Sequence, residues 1–226
     1  MNLQEHYNEL YKKSSNAILA GNFKLDSQIN NISDSRFGIT LLIRPSDEIK
    51  ANIQSFLDEL KAIDPEQYYY PDSDLHITVM GIISCYDGFS LNKIEIKEYL
   101  EIIQQSMVEL DTIEIEFRGV TASPSALMIQ GFPTDESLNN FRNRLRENFK
   151  KSTLEQSIDS RYAIATAHST VMRFQEKLEN PEKLIDVVEK YRNYNFATLK
   201  VKKLELVYND WYQREKNTIH LAEFMI

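Results

Sequence analysis

The pattern His-x-Thr-Val occurs twice in this chain, at His76–Val79 and at His168–Val171, 92 residues apart. Each copy lies among apolar and β-branched residues, a composition that is typical of a strand. Side chains two positions apart on a strand point to the same face, so each histidine should project beside its threonine. A motif that recurs after about half the chain indicates an internal repeat, and such a repeat constrains the fold more than local propensity does.

The predicted elements around the two motifs recur in the same order. The first half has a strand at 38–44, a helix opened by Ser46, the first motif strand, a helix over 96–110 and a strand at 113–117. The second half has a strand at 126–130, a helix opened by Thr134 or Asp135, the second motif strand, a helix begun by Pro181, a strand pattern over 199–208 and a last strand at 218–225. We therefore predict an α+β protein with two pseudo-symmetric β-α-β-α-β lobes, at about 36–122 and 123–226, around a central cleft.

The two motifs suggest acid-base chemistry on a phosphate. Histidine has an ordinary pKa of about 6.5, so near neutrality one copy can hold a proton while the other accepts one. His76 and His168 are accordingly the candidate catalytic pair, with the acid and base roles left open. Thr78 and Thr170 would donate hydrogen bonds to the non-bridging oxygens. Such a site could cleave a phosphodiester without a metal.

These residues resemble the 2H phosphoesterase superfamily, which includes bacterial RNA 2′-5′ ligase-like proteins and cyclic nucleotide phosphodiesterases. The family is named for two His-x-Thr/Ser motifs, and the resemblance spans about residues 36–226. It implies a bilobal α+β fold with antiparallel-rich sheets and metal-independent chemistry. The second motif of the family often ends in arginine, which Arg173 matches. The first often runs on to Leu-Gly, whereas Gly81 comes early here, which indicates a divergent branch.

Three arginines are weaker candidates for phosphate binding. Arg173 lies at an odd offset from His168, which places it on the opposite face of an ideal strand unless a bend or the strand end redirects it. A surface ion pair is the alternative. Arg44, at the end of the first predicted strand, and Arg161 are candidates of the same kind.

Two tyrosines are weaker candidates for contact with the substrate. Tyr70 belongs to a Tyr-Tyr-Tyr-Pro run before the first motif, where a ring could stack on a base. Packing at the rim of the cleft is the alternative. Tyr208 lies near the end of a predicted strand and is a second candidate for the cleft.

The remaining histidines, His6 and His220, are expected to be structural, because nothing near His6 resembles a site and His220 has no hydroxyl partner in register on the last predicted strand. No metal site is expected, since the motif strands lack the closely spaced Glu, Cys or further His ligands that zinc sites need. No Gly-rich phosphate loop is present among six glycines. We therefore expect no cofactor.

Charge and cysteine content narrow the partners and the compartment. The net charge of −8 disfavours a long nucleic acid, which proteins normally hold with a basic surface. A nucleotide or short oligonucleotide is favoured instead. The single cysteine excludes an internal disulfide and fits a reducing, cytoplasmic setting. Residues 1–5 have no basic start and no apolar run, so we expect neither a signal peptide nor a membrane span or membrane partner.

Residues 1–35 precede the repeat and form a predicted N-terminal extension, with an amphipathic helix over 3–19. The extension could pack as an added helix, act as a lid or contact a protein partner. Residues 36–226 are predicted to form a single bilobal domain.

The sequence thus predicts a metal-independent phosphodiesterase. Its substrate would be a nucleotide or short RNA, with a cyclic phosphate or a cyclic (oligo)nucleotide among the options. RNA 2′-5′ ligase activity is an alternative within the same chemistry. A module that sequesters a nucleotide or RNA without turnover is an alternative of another class, and a protein-binding scaffold is a third.

Overall fold

The computed structural model describes residues 2–161 and 163–226. It contains five α-helices and nine strands among these residues. In chain order they are α1 (Leu3–Leu19), β1 (Arg36–Ile43), α2 (Asp47–Lys61), β2 (Tyr68–Tyr69), β3 (Ile77–Asp87), α3 (Ile96–Ser106), β4 (Glu114–Ser123), β5 (Ala126–Pro133), α4 (Ser137–Lys151), β6 (Ser169–Arg173), α5 (Pro181–Lys190), β7 (Asn195–Lys200), β8 (Lys203–Asp210) and β9 (Ile219–Met225).

The strands form two sheets, in the orders β3-β1-β8-β9 and β2-β6-β5-β4-β7. All the paired strands are antiparallel. The strands β3, β1, β8 and β9 of the first sheet occupy the same relative places as β6, β5, β4 and β7 of the second. The predicted α+β fold with two pseudo-symmetric, antiparallel-rich lobes is therefore confirmed.

The two halves of the sequence exchange strands. β4 comes from the first half and joins the second sheet, whereas β8 comes from the second half and joins the first sheet. The limits 36–122 and 123–226 hence describe the repeat along the chain rather than the sheets. The prediction of one continuous strand over 199–208 is wrong, because the chain passes from the second sheet to the first at Val201–Lys202. Buried apolar residues lie on both sides of this crossover, at Leu199, Val201 and Leu204, but their alternation shifts by one residue at the consecutive lysines Lys202 and Lys203.

The helices form where the periodicity predicts them, with shifted ends. The Ser46 hydroxyl accepts a hydrogen bond from the amide of Ile49 and caps α2. The helix predicted to open at Thr134 or Asp135 begins at Ser137 instead. α3 ends at Ser106 rather than Leu110, because the chain turns through Glu109, which has a positive φ of 61°. No described helix is long and apolar enough to cross a membrane.

The N-terminal extension packs against the second sheet as an added helix. Tyr7 of α1 is fully buried, and its hydroxyl donates to the carbonyl of Gly131 at 3.2 Å. The Thr121 hydroxyl donates to the carbonyl of Tyr7 at 3.1 Å. The Tyr11 hydroxyl donates to the carboxylate of Glu189 at 2.8 Å, which ties α1 to α5. The extension therefore contributes side chains to the core.

Candidate active site

The structure brings the two motifs together. His76 lies directly before β3 and His168 directly before β6. Cα atoms of these two strands approach within 8 Å of one another. The two histidines, together with Thr78 and Thr170, line one cavity of about 260 Å³, which we call the motif cavity.

A β-bulge in β6 explains how Arg173 reaches this cavity. Thr170 of β6 pairs with Met128 of β5. The neighbouring residue of β5, Leu127, pairs with Met172 rather than with Val171. Val171 is thus an extra residue, and an extra residue reverses which face the following side chains occupy. Arg173 consequently lines the motif cavity despite its odd offset from His168.

β3 carries a bulge at the equivalent position. Leu42 pairs with Thr78 and Leu41 pairs with Met80, so Val79 is the extra residue. The residue that corresponds to Arg173 is then Gly81, five positions after the first histidine. Gly81 also lines the motif cavity, and a Cβ atom added there would meet nothing within 4 Å. The two motifs are therefore equivalent in their histidines and threonines, but the position five residues after the histidine is an arginine in the second motif and a glycine in the first.

Arg173 is held in place by groups outside the motifs. Its Nε donates to the Tyr70 hydroxyl at 2.9 Å, and its Nη1 lies 3.5 Å from a carboxylate oxygen of Asp26. The Tyr212 hydroxyl donates to the other oxygen of Asp26 at 2.8 Å. Tyr70 is only 1% exposed, so its ring supports Arg173 and has no free face for a base. The extension thus supplies Asp26, which sequence reasoning missed.

The Nδ1 atoms of the two motif histidines have different partners. Nδ1 of His76 lies 2.8 Å from the carbonyl oxygen of Asp74. A carbonyl can only accept, so this nitrogen carries the proton and Nε2 of neutral His76 has a free lone pair. Nδ1 of His168 lies 2.7 Å from the Thr166 hydroxyl, which can donate or accept. His168 can therefore keep this hydrogen bond in either protonation state.

Burial makes both imidazoles weaker bases than the sequence alone suggests. It lowers the pKa of His76 from 6.5 to about 4, and it lowers the pKa of His168 from 6.5 to about 4. The positive charges of Arg44 and Arg173 lower the pKa of His76 further, and those of Arg142 and Arg173 do so for His168. Both histidines are therefore neutral at pH 7 in the free protein.

A buried arginine of α4, Arg142, links the first motif to the segment that precedes the second motif. The Nε of Arg142 donates to the carbonyl of Val79 at 3.0 Å. Its Nη2 donates to the carbonyls of Thr78 and Thr166, each at 2.9 Å. Its side chain is fully buried, and desolvation lowers the pKa of the guanidinium to about 10. A charged residue on the apolar stripe of α4, between Leu138 and Leu145, was the sequence signal that could have revealed it.

The motif cavity is also lined by the only tryptophan of the sequence, Trp211, which sequence reasoning missed. The guanidinium of Arg161 lies 4.4 Å from the centre of its ring and donates to the carbonyl of Cys85 at 2.8 Å. Arg36 lies 4.8 Å from the same ring. Arg161, a weak candidate from the sequence, thus lies in the cavity next to an aromatic surface.

Arg44 and Tyr208 do not line the motif cavity. The Arg44 guanidinium forms an ion pair with Glu205 at 3.3 Å and donates to the carbonyls of Ser73 and Leu75. It therefore supports the loop that leads to His76. The Tyr208 ring stacks on Phe37, and its hydroxyl donates to a backbone carbonyl.

The two histidines expected to be structural differ in their surroundings. His220 lies on β9 beside Glu205 and Glu223, where three possible metal ligands come together. The ammonium group of Lys203 bridges these two carboxylates, so they already have a cation. His6 lines a second cavity together with His168. Nothing in the sequence around His6 indicates this proximity to the second motif, because it arises from the packing of α1.

Comparison with known proteins gives a match in structure only. No protein-family model matches the chain, and neither does any curated protein sequence. A protein of Thermus thermophilus is similar in structure at 13% identity and a TM-score of 0.60, over 83% of this chain and 97% of that one. E. coli LigT complexed with 3′-AMP is similar at 13% identity and a TM-score of 0.56, over 84% and 98%. A structure described as a phosphoesterase is similar at 16% identity and a TM-score of 0.56, also over 84% and 98%.

These similarities establish the fold. LigT belongs to the 2H phosphoesterase family, and the other two structures share the same architecture over nearly their whole length. The resemblance to 2H phosphoesterases that the two motifs indicate is therefore confirmed at the level of the fold.

Proposed function

We propose that this protein is a divergent 2H phosphoesterase that cleaves a phosphodiester bond in a nucleotide or short oligonucleotide without a metal ion. The observation that carries the proposal is the convergence of two imidazoles, two threonine hydroxyls and the guanidinium of Arg173 on the motif cavity, which Arg161 also lines. The shared fold supports it, since LigT is known in complexes with ATP and with 3′-AMP.

In the proposed reaction a water molecule or a neighbouring ribose hydroxyl attacks the phosphorus. A new P–O bond forms while the P–O bond to the departing group breaks. One histidine removes the proton of the nucleophile, and the other gives a proton to the departing oxygen. Water as nucleophile yields a phosphomonoester and an alcohol, whereas a ribose hydroxyl yields a cyclic phosphate and an alcohol. Thr78, Thr170 and Arg173 stabilise the negative charge on the non-bridging oxygens.

The hydrogen bonds at Nδ1 favour one assignment of roles. His76 is the general base, because the carbonyl of Asp74 keeps the Nδ1 proton in place and leaves the Nε2 lone pair free. His168 is the general acid, because the Thr166 hydroxyl can accept from the imidazolium and donate to the neutral ring. The substrate anion raises the pKa of His168, since an opposite charge close by favours the charged form.

The test is turnover of a substrate panel in the presence of a chelator. The panel holds 2′,3′-cyclic and 3′,5′-cyclic nucleotides, cyclic dinucleotides, and short 2′-5′ and 3′-5′ oligonucleotides. We expect His76→Ala and His168→Ala each to lower the rate by about 100-fold to about 10,000-fold, the range for a positioned acid or base. His220→Ala is the matched control, because it removes an imidazole from the surface of β9.

Three results would contradict the proposal. Turnover that survives loss of either motif histidine would remove the acid-base pair from the mechanism. Turnover that the chelator abolishes would require a metal. Binding of a panel member without any cleavage would favour the nucleotide-sequestering module instead.

A further inference from the structure

A second cavity adjoins the motif cavity. It has a volume of about 530 Å³ and shares His168, Thr170 and Arg173 with the motif cavity. The rest of the motif cavity is bounded by the first motif and Trp211, whereas the second cavity is bounded by α1 and β5. The proposed phosphate-binding groups of the second motif therefore lie where the two cavities meet.

The N-terminal extension builds one wall of the second cavity. His6, Tyr7 and Leu10 of α1 all line it. The helix is firmly held, because Tyr7 is fully buried and because the guanidinium of Arg192 lies 4.0 Å from the centre of the Tyr11 ring. The wall is thus a fixed part of the fold.

The chemistry of the lining suits a nucleoside. Apolar side chains form most of the surface, from Leu10 on α1, Met128 on β5, and Ala163 and Ala165 in the segment before the second motif. A few polar groups accompany them, among them His6 and the hydroxyls of Ser123 and Ser125. Small-molecule sites combine apolar walls with a small number of polar groups in this way, in volumes of about 300 to about 1,000 Å³. A base presents apolar faces and polar edges, so it matches such a lining.

We propose that this second cavity, the α1 subsite, holds the nucleoside on one side of the scissile phosphate while the motif cavity holds the nucleoside on the other. The inference rests on the proposed function and names its substrate class. The substrate is a phosphodiester that links two nucleosides, in a linear or cyclic oligonucleotide. A 2′,3′-cyclic mononucleotide has both ester oxygens on one ribose and therefore carries one nucleoside only. In this proposal the motif cavity holds that nucleoside, and the α1 subsite stays empty.

The kinetic test narrows the α1 subsite and compares two substrates. Leu10→Trp should lower kcat/KM for a linear dinucleotide at least tenfold more than kcat/KM for a 2′,3′-cyclic mononucleotide. Ala165→Phe narrows the subsite from a different segment and should have the same selective effect. Glu9→Trp is the matched control, because it places the same large side chain on the exposed side of α1. Equal losses for both substrates, or no loss, would overturn the proposal.

A binding measurement separates failure of the subsite from failure of the proposed function. The probe is a dinucleotide whose scissile ester oxygen is replaced by CH₂, titrated into each full-length variant. Weaker binding to Leu10→Trp and Ala165→Phe, but not to Glu9→Trp, supports the subsite even if the wild type cleaves nothing. In that case only the proposed function fails. Equal binding to all four proteins would overturn the subsite.

Discussion

At the scale of single residues, the motif histidines can act as an acid-base pair only after one of them gains a proton, and substrate binding supplies the reason for that gain. Burial lowers the pKa of each to about 4, so both are neutral near pH 7 in the free protein. A general acid must hold a proton that it can give away. A phosphate anion in the motif cavity would raise the pKa of an adjacent imidazole and load that proton on binding.

We therefore expect binding of sulfate, which remains a dianion from about pH 5 to about pH 8, to be coupled to proton uptake. The complex binds more protons than the free protein, so the affinity rises as the pH falls, by up to about tenfold per pH unit for one proton. Calorimetric titration in two buffers of different protonation enthalpy measures the uptake. His168→Gln should reduce the uptake, while His220→Gln should preserve it. An affinity that does not change with pH would contradict this mechanism.

At the scale of elements, two β-bulges determine which side chains meet in the motif cavity. The extra residues Val79 and Val171 lie at equivalent positions of β3 and β6. Each bulge returns the residue five positions after the histidine to the cleft. This residue is Arg173 in one strand and Gly81 in the other, so one strand contributes a cation and the other contributes space.

The space at Gly81 leads to a prediction. Gly81→Leu should raise KM for the cleaved nucleotide by more than about tenfold, because its side chain enters the motif cavity and no backbone strain arises. Thermal unfolding should show little loss of stability. Gly131→Ala is the contrasting variant, since its Cβ would clash with the carbonyl oxygen of Ala167 and should destabilise the fold. A Gly81→Leu enzyme with an unchanged KM would show that the ligand does not occupy this space.

At the scale of the whole molecule, the exchange of β4 and β8 between sheets makes the two halves interdependent. Arg142 adds a second link, because it comes from the second half and donates to the carbonyls of Thr78 and Val79 in the first. The same guanidinium donates to the carbonyl of Thr166, two residues before His168. One buried side chain thereby sets the spacing of the two motifs.

Replacing Arg142 by lysine should therefore destabilise the protein by about 2–4 kcal/mol. An ammonium group cannot reproduce the planar fork of donors, so buried carbonyls lose partners. Denaturant unfolding measures the change. Arg144→Lys is the matched control on the same helix, because it removes one hydrogen bond, to the carbonyl of Ser106. This variant should lower the free energy of unfolding by less than about 1 kcal/mol. Similar stability of the two variants would refute the structural role of Arg142.

Most elements of the fold could be predicted from the sequence, because their signals are local. The cap at Ser46 and the apolar stripe of α2 lie within one helix, and Pro181 marks the start of α5 at the residue where the helix begins. The helix end at Ser106 could not be predicted, because apolar periodicity continues past it to Leu110. The break at Val201–Lys202 does leave a local signal, since the consecutive lysines Lys202 and Lys203 interrupt the alternation of apolar residues there.

For the candidate site, the sequence by itself determined the two His-Thr pairs and the repeat that relates them. Their signal is a pattern of residue types at fixed spacing within a strand. Only the tertiary structure decided that Arg173 turns toward the cleft, that Tyr70 and Asp26 hold it, and that α1 borders a second cavity next to His168. These features depend on bulges and on contacts between segments more than 100 residues apart. Local patterns carry no record of such contacts, because they arise only when the two sheets and the extension pack together.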